Sequence, residues 1–294
     1  MDQHLVAIAS EGLTAQVNPL GAELWSLKDA QGRELMTDAD PRWWTGHAPL
    51  LFPFVGRSRN DRYRLNGLDF AMPQHGFARR MVFTQVEAER DAASFRLEAN
   101  GATRAVYPFD FRLDMCFVVA AETLMMTATV TNQGEADMPF SFGYHPAFAW
   151  PLPFGGAAQQ HRIMFEKDEA APIRKVGAEP GLIARGRTPS PVDGRILTPN
   201  PAMFEGDALI WDRLESRSLT WGAPGNRGLK IDFPDTPWLG LWQKPGARYL
   251  CVEPWAGMAD LVGFDGDVWD KQGVMRLAPG QERRFRMDVS IVDV

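Results

Sequence analysis

The amino-acid sequence predicts an all-β protein, and three observations support this fold class. The 294 residues include 27 glycines, 22 prolines and 18 phenylalanines, a composition that suits many short strands joined by turns. Several segments alternate apolar and polar side chains with a period of two, as a strand with one buried face does. No long segment keeps a helical period without interruption by proline or glycine, so we expect few and short helices.

Two turns predict hairpins in the first part of the chain. Residues 23–36 place apolar segments on both sides of Asp29-Ala30-Gln31-Gly32, where the glycine can adopt a positive φ. Asn66-Gly67 separates two further short apolar segments, and this dipeptide is typical of a tight hairpin turn. The chain therefore begins with antiparallel neighbours.

The clearest strands are predicted in the middle and at the end of the chain. Residues 109–117, 124–131 and 285–291 each alternate apolar with mostly polar side chains. The second of these segments ends at the turn Asn132-Gln133-Gly134. Residues 172–201 differ, because they are rich in proline, glycine and arginine and predict a long excursion from the sheets. That segment could be an insertion, a lid or an inert loop.

A single domain, residues 1–294, is the simplest organisation. The sequence has no linker-like segment, no low-complexity tract and no internal repeat of fixed period. Large β-sandwiches often form one unit at this length. A chain of this size buries about three quarters of its unfolded surface, so it needs no disulfide or metal to hold it together.

Charge and composition exclude several partner classes. The net charge of −6 gives no general attraction to nucleic acid or to anionic membranes. No apolar run is long enough to cross a membrane, and the first residues lack the features of a signal peptide, so we expect a cytoplasmic protein. Cys116 and Cys251 lie in apolar runs and are expected to be buried free thiols.

Three segments each set a titratable side chain among glycines, prolines and aromatic residues. His145 and Glu253 each precede a proline, which restricts their backbone to extended geometry and fixes the direction of the side chain. Gly76 follows His75 and allows close approach of backbone or ligand. Such positional restraint is what general acid–base catalysis requires. The segments are PQHGFAR (residues 73–79), FGYHPAF (residues 142–148) and CVEPW (residues 251–255).

These groups fit one reaction, the opening of a cyclic hemiacetal. The reaction needs a base at the C1 hydroxyl and an acid at the ring oxygen. A glutamate with a pKa near 4.3 is an available base at neutral pH, and an imidazole near 6.5 can donate or accept a proton. Glu253 and His145 would supply these roles, and each proton transfer is worth roughly 10² to 10⁴ in rate. The reaction needs no metal, cofactor or covalent nucleophile.

The three motifs, in this order, resemble those of the aldose 1-epimerases, and specifically the LacX-like branch of that family. The segments LFPFVGRSRNDRY (residues 51–63) and DALIW (residues 207–211) also resemble this branch. The resemblance extends from about Gly21 to the C-terminus. It implies a galactose mutarotase-like fold, which is a large twisted antiparallel β-sandwich with the site in a groove on one sheet.

The resemblance also implies an activity and its catalytic residues. The expected enzyme is an isomerase that interconverts the α and β anomers of a hexose such as glucose or galactose without a cofactor. His145 would be the general acid, Glu253 the general base, and His75 would bind the sugar near its ring oxygen. The expected partner is the sugar substrate, and the chain would be a monomer or a homodimer.

Four further residues are candidates for sugar binding by the same resemblance. Arg57 matches a sugar-binding arginine, but relatives often carry an Asn-Arg pair where this chain has Asn60 followed by an aspartate. Arg59 or Asn60 could therefore hold that role. The remaining two candidates are Asp207, as a hydroxyl acceptor, and Gln243, as a polar contact.

Alternative interpretations remain open at this point. Each histidine could be structural, and Glu253 could form an ordinary salt bridge. A zinc site formed by His75, His145 and Glu253 is chemically reasonable, but the spacing has no HExxH-like pattern, so no metal is predicted. Glycoside hydrolysis usually needs two carboxylates, and only one lies in a motif of this quality.

The substrate class also has alternatives. The arginines of residues 57–64 could form a solvated edge strand, or they could bind the phosphate of a hexose 6-phosphate. A non-catalytic sugar-binding protein on the same scaffold is the third alternative, because one fold hosts many functions.

Overall fold

A computed structural model describes residues 5–294, which fold almost entirely into antiparallel strands. Within this range the helical elements are one α-helix, α1 (Gly101–Val106), and five 3-10 helices at Arg59–Asp61, Ala78–Arg80, Ala158–Gln160, Pro201–Phe204 and Val268–Asp270. The predicted all-β fold class with few and short helices is confirmed. The strands are β1 (Val6–Ala9), β2 (Leu13–Asn18), β3 (Glu23–Asp29), β4 (Leu50–Leu51), β5 (Arg62–Leu65), β6 (Leu68–Ala71), β7 (Thr84–Ala88), β8 (Ala92–Glu98), β9 (Phe111–Ala120), β10 (Thr123–Asn132), β11 (Met138–Phe140), β12 (Phe142–Tyr144), β13 (Ala147–Ala149), β14 (Arg162–Phe165), β15 (Arg174–Lys175), β16 (Ile196–Leu197), β17 (Leu209–Trp211), β18 (Ser218–Gly222), β19 (Arg227–Asp232), β20 (Trp238–Trp242), β21 (Tyr249–Ala256), β22 (Met275–Leu277) and β23 (Glu282–Asp293).

Two large sheets form the body of the molecule. The first has nine strands in the order β16-β14-β18-β19-β23-β10-β9-β8-β7. The second has seven strands in the order β15-β17-β20-β21-β12-β4, with β13 also paired to β21. Three smaller sheets, β1-β2-β3, β5-β6 and β11-β22, complete the fold. Every strand pair in the two large sheets is antiparallel, as the sequence predicts.

The inner faces of the two large sheets share one hydrophobic core. Phe142 of the seven-stranded sheet stacks on Phe285 of the nine-stranded sheet, with ring centroids 4.9 Å apart. Trp211 and Phe165 make a second contact between the sheets, with centroids 5.8 Å apart. Burial of such large aromatic side chains is a main source of folding free energy. The seven-stranded sheet therefore has one face covered by the core and one face available for a site.

The strands predicted from alternation form the centre of the nine-stranded sheet. Residues 109–117, 124–131 and 285–291 lie almost entirely within β9, β10 and β23, which are neighbours. In β10, Met126 is opposite both Phe117 and Met287, so the apolar faces of the three strands are in register. Apolar side chains opposite one another stabilise the sheet and fix its register.

Both predicted hairpin turns are present. Asn66 and Gly67, with φ of 49° and 83°, connect β5 to β6 between the paired residues Leu65 and Leu68. Two consecutive positive φ values are typical of a type I′ turn, which Asn-Gly favours. After β3 the chain turns back at Gly32, whose φ is 75°, and an isolated bridge joins Lys28 to Glu34.

The short helix α1 was not predicted because six residues are too few to show a helical period. Its signal lies instead at Asn100, whose side chain accepts hydrogen bonds from the N–H groups of Ala102 and Thr103. Asparagine is a preferred residue at this capping position. No helix among residues 5–294 is long and apolar enough to cross a membrane.

Candidate functional site

The register of the seven-stranded sheet places His145 opposite Glu253. β12 and β13 pair with β21 in the same register on both sides of a short interruption at residues 144–146. The position across from Glu253 in this register is His145. Side chains opposite each other in antiparallel strands point to the same face. Accordingly, Nε2 of His145 lies 3.2 Å from Oε2 of Glu253.

A pocket of about 260 Å³ opens above this pair on the face of the sheet that points away from the core. Five ionisable side chains line it, and three of them are the predicted catalytic residues. They come from all three sequence motifs and from the segment before β17, which are distant in the chain. The five are His75, Arg79, His145, Asp207 and Glu253.

Tryptophan side chains form much of the remaining pocket wall. Trp44 stacks on the ring of His145 with centroids 5.1 Å apart, and Trp242 meets Trp44 edge to face at 5.6 Å. Trp255 lines the same pocket and packs over Gly240, where a Cβ atom would lie 2.6 Å from the indole. An indole face matches the apolar C–H face of a pyranose, so the wall is suited to a sugar ring.

Glu253 is a carboxyl group in an environment that favours its neutral form. Its side chain is 2% exposed, and burial raises its pKa well above the ordinary value. The neighbouring carboxylate of Asp207 raises the pKa further. A carboxylate with a raised pKa is a stronger base, and general base catalysis is most effective when the pKa lies near the working pH.

His145 is shifted in the opposite direction. Burial lowers its pKa to about 3, and the positive charge of Arg79 contributes to the same shift. Its Nδ1 atom is buried without a hydrogen-bond partner. These opposite shifts place the proton of the pair on Glu253 rather than on His145. Two ionisable groups in direct contact titrate as a unit, so His145 and Glu253 exchange protons as one coupled pair.

His75 is held by its backbone and by contacts at both ring nitrogens, since its Nε2 lies 3.3 Å from Nε2 of Gln74. Its φ is 65°, an uncommon conformation for a residue with a side chain, and its N–H donates to the carbonyl of Gly56 at 2.7 Å. Nδ1 of His75 accepts from the N–H of Gly56 at 3.1 Å. Burial, with the nearby His145 and Arg79, lowers the pKa of His75 well below its ordinary value. A neutral ring whose Nδ1 accepts carries its proton on Nε2, so His75 is a hydrogen-bond donor in the pocket wall.

Glycine follows His75 for a steric reason. Gly76 has a φ of 71°, and a Cβ atom at this position would lie 2.1 Å from the carbonyl oxygen of Phe52. No other residue fits there without moving the backbone at Phe52. The His-Gly dipeptide in the first motif thus sets the position of the imidazole.

Arg79 was missed by the sequence analysis, although it ends the PQHGFAR motif. One terminal nitrogen donates to the carbonyl of Gln74 at 3.0 Å, while Nε is buried and has no partner. Arg79 lines the pocket, so a ligand hydroxyl that reaches Nε would remove the cost of leaving this donor unpartnered. The sequence signal was its place in the motif, four residues after His75. Trp44 and Trp242 had no comparable local signal, since tryptophan is usual in a core.

Asp207 is the predicted sugar-binding residue that the structure places in the pocket. It lies just before β17, with a φ of 75°, and its Oδ1 accepts the N–H of Ala208 at 2.7 Å. The second oxygen is free of hydrogen bonds within the chain described. The carboxylate is thus held by one oxygen and can accept a hydroxyl with the other.

Arg57, Asn60 and Gln243 do not line this pocket. Arg57 donates to both carboxylate oxygens of Asp61, at 2.8 and 2.7 Å, and to the carbonyl of Pro180. Asn60, with a φ of 59°, lines a separate surface cavity of about 270 Å³. Gln243 faces a third cavity, where its Nε2 donates to the carbonyl of Ala247 at 3.0 Å.

Arg59, the alternative to Arg57 and Asn60, is also outside the pocket. Its Nε lies 3.3 Å from a carboxylate oxygen of Glu179. It lines the same surface cavity as Asn60. The arginine-rich loop is therefore paired with carboxylates of the chain itself at Arg57 and Arg59.

The excursion at residues 172–201 contributes a wall to the pocket. Val176 and Ile183 line it, and the N–H of Ile183 donates to the carbonyl of Asp260 at 2.9 Å. Arg174 anchors the segment, because its buried guanidinium pairs with Asp212 at 2.5 Å. The sequence allowed an insertion, a lid or an inert loop. The position of this segment in the pocket wall argues against an inert loop.

Comparisons with known proteins agree with this architecture. The sequence model of the family described as aldose 1-epimerase matches residues 4–287. The chromosomal LacX protein of Lactococcus lactis subsp. lactis is 32% identical over 297 residues, covering 98% of this chain and 99% of LacX. A galactose mutarotase related enzyme from Lactobacillus acidophilus has a solved structure that superimposes with a TM-score of 0.89 at 28% identity, covering 98% and 97% of the two chains. A galactose mutarotase-like protein from Lactobacillus casei gives a TM-score of 0.88 at 28% identity, covering 98% and 100%. The chain therefore belongs to the aldose 1-epimerase family, as its motifs predict.

Proposed function

We propose that the protein is an active mutarotase, an isomerase that interconverts the α and β anomers of a free hexose such as glucose or galactose. The observation that carries the proposal is the His145–Glu253 pair, 3.2 Å apart in a tryptophan-lined pocket. The hydroxyl oxygen and the ring oxygen of a cyclic hemiacetal are bonded to the same carbon. Groups that act on these two oxygens must lie close together, as Nε2 of His145 and Oε2 of Glu253 do.

Ring opening begins from the charge-separated form of the pair. The carboxylate of Glu253 takes the proton of the C1 hydroxyl, and the C1 oxygen forms a carbonyl bond. The bond between C1 and the ring oxygen breaks, and its electron pair takes a proton from Nε2 of protonated His145. The products are the open-chain aldehyde, a protonated Glu253 and a neutral His145.

Ring closure reverses these transfers after C1 rotates about its bond to C2. The ring hydroxyl adds to the other face of the aldehyde, neutral His145 takes its proton, and Glu253 protonates the new C1 oxygen. The neutral pair that burial favours is thus the form needed for closure. The cycle gains and loses no proton, so no cofactor is needed.

The surrounding groups have distinct tasks in this proposal. The Nε2–H of His75 donates to the ring oxygen as charge develops on it, a role that suits a neutral imidazole donor. Nε of Arg79 and the free oxygen of Asp207 bind sugar hydroxyls and orient C1 over the pair. The tryptophans exclude water from one face of the ring.

A neutral hexose fits the charge of the pocket better than a phosphorylated one. Among the described residues that line the pocket, Arg79 carries the one permanent positive charge, and Asp207 and Glu253 are acidic. The arginines Arg57 and Arg59 are paired with carboxylates and lie outside the pocket. A phosphate needs several cations or oriented N–H groups to replace its water.

Polarimetry tests the proposal. Fresh α-D-glucose and α-D-galactose should approach equilibrium rotation faster with the protein than in buffer, and glucose 6-phosphate should be accelerated less. No acceleration of any of several aldoses would contradict enzymatic activity. Tight sugar binding by calorimetry without acceleration would instead indicate a non-catalytic binding protein, and faster turnover of the phosphate would indicate a hexose-phosphate enzyme.

A further inference from the structure

Cys251 lies beside the acid–base pair but has no task in the proposed reaction. It precedes Glu253 by two residues in β21, so both side chains point to the same face of the sheet. Cys251 is fully buried and is paired across the sheet with Ala147, two residues after His145. A ring nitrogen of His145, Sγ of Cys251 and a carboxylate oxygen of Glu253 all lie within 4.8 Å of one another.

We propose that His145, Cys251 and Glu253 form a binding site for a soft divalent cation such as Zn²⁺, and that the bound ion switches the pocket off. Imidazole nitrogen, thiolate sulfur and carboxylate oxygen are the three ligand types that zinc takes in proteins, at roughly 2.0–2.3 Å. Donor atoms around such a tetrahedral ion are then about 3.3–3.8 Å apart. The separation of 3.2 Å between His145 and Glu253 is already close to this value.

The fourth coordination position would face the pocket. His145 and Glu253 line the pocket, whereas Cys251 is fully buried and does not line it, so an ion bound by all three would be reached from the pocket. Three protein ligands with one open position are the arrangement that protein zinc sites use when a water or a substrate also binds. The carboxylate of Asp207 faces the same pocket and adds negative charge close to the ion.

The sulfur determines which ions bind. Thiolate is a soft ligand that selects Zn²⁺ and Cd²⁺ over Mg²⁺ and Ca²⁺. On binding, the protons of the Cys251 thiol and of the Glu253 carboxyl pass to the buffer, and the sulfur forms a coordinate bond to the ion. The lone pair of His145 and the carboxylate of Glu253 are occupied in the same way, so neither group can transfer a proton to the sugar.

Inhibition rests on the proposed mutarotase function, whereas metal binding does not. The test therefore measures binding first, with Co²⁺ as a spectroscopic probe for the zinc site. Wild-type protein should take up one equivalent of Co²⁺ with a thiolate-to-cobalt charge-transfer band, and one equivalent of Zn²⁺ should remove the band. Mg²⁺ should leave it unchanged.

Two cysteine variants identify the ligand. Cys251→Ala should lose the charge-transfer band. Loss of a residue that only hydrogen-bonds to a metal ligand weakens metal binding roughly 10- to 100-fold, and the affinity of Cys251→Ala for Zn²⁺ should fall by more than this. Cys116→Ser is the matched control, because Cys116 lies half-buried on β9 in the nine-stranded sheet, and it should keep the band. Cys251→Ser provides a second variant of the same size, with a harder oxygen ligand and no charge-transfer band.

The inhibition readout completes the experiment. Each variant is compared with its own metal-free mutarotation rate, and Zn²⁺ should slow wild type and Cys116→Ser but not Cys251→Ala. The proposal is overturned if wild type shows no saturable binding at one equivalent, if the band survives in Cys251→Ala, or if it disappears in Cys116→Ser. Metal binding in a protein without mutarotase activity would support the site and contradict only the proposed function.

Discussion

Tyr144 and His145 are neighbours in the chain, yet they point to opposite faces of the seven-stranded sheet and have opposite environments. Both are buried, with 2% and 7% of their surface exposed. The hydroxyl of Tyr144 donates to the carbonyl of Phe285 at 2.8 Å and accepts the N–H of Ala128 at 3.1 Å. Nδ1 of His145 has no partner, and its Nε2 faces the carboxyl of Glu253.

The contrast indicates that side chains on the core face of this sheet contribute to stability, and those on the pocket face to the reaction. Leaving a buried polar group without a partner costs about 1–3 kcal/mol, and Tyr144 avoids this cost on the core face through its two hydrogen bonds. The pocket face has two buried atoms without a partner, Nδ1 of His145 and Nε of Arg79. Changes on the pocket face should therefore reduce activity with little effect on folding, and changes on the core face should do the reverse.

The largest effect is expected on the pocket face. Glu253→Gln keeps the shape of the side chain but removes the base, so the mutarotation rate should fall by roughly 10² to 10⁴. His145→Ala should also lose most activity, since the acid is removed. Thermal unfolding should show at most a small loss of stability for either variant, since both side chains lie on the pocket face. Glu253→Gln also replaces a neutral buried carboxyl by a neutral amide of the same shape. A rate within a few-fold of wild type for either variant would show that the roles are wrongly assigned.

The next effect is expected on the core face. Tyr144→Phe leaves the N–H of Ala128 without its acceptor in the core, so the free energy of unfolding should fall by about 1–3 kcal/mol. The ring keeps its packing against Phe142, and the pocket residues keep their positions. Urea denaturation measures the loss, and polarimetry should give a nearly unchanged rate. A Tyr144→Phe protein with wild-type stability and low activity would contradict the assignment of stability to the core face and activity to the pocket face.

The difference between the faces also explains what the sequence could predict. The strands β9, β10 and β23 were evident because their alternation is local and follows from burial of one face. The pairing of β12 and β13 with β21 joins residues at least a hundred positions apart, and no local pattern encodes it. The motifs predicted that His145 and Glu253 act together, but only the register places them 3.2 Å apart.

The sequence motifs did not predict which arginine lines the pocket. Arg57 was selected because it matches a position in the family, but a neighbouring carboxylate four residues later, Asp61, occupies its guanidinium. Whether a side chain reaches a pocket depends on such partners, and a sequence does not list them. Arg79 has the free donor instead.

The smallest effect, and the sharpest test within the pocket, compares these two arginines. Arg79→Lys replaces a planar guanidinium by an ammonium group and removes the unpartnered Nε donor, so KM for glucose should rise about tenfold. That change corresponds to ~1.4 kcal/mol, near the lower end of what a hydrogen bond to a charged group contributes. Arg57→Lys makes the same exchange outside the pocket and should leave KM unchanged.

Initial-rate polarimetry over a range of glucose concentrations separates KM from kcat for the two variants. Arg57→Lys also acts as the control for loop disturbance, because Arg57 contacts Asp61 and the carbonyl of Pro180 next to the pocket wall. A raised KM for Arg57→Lys with an unchanged KM for Arg79→Lys would restore the role that the sequence gave to Arg57. It would also mean that the loop moves toward the pocket when sugar binds, since the Arg57 side chain does not line the pocket as it stands.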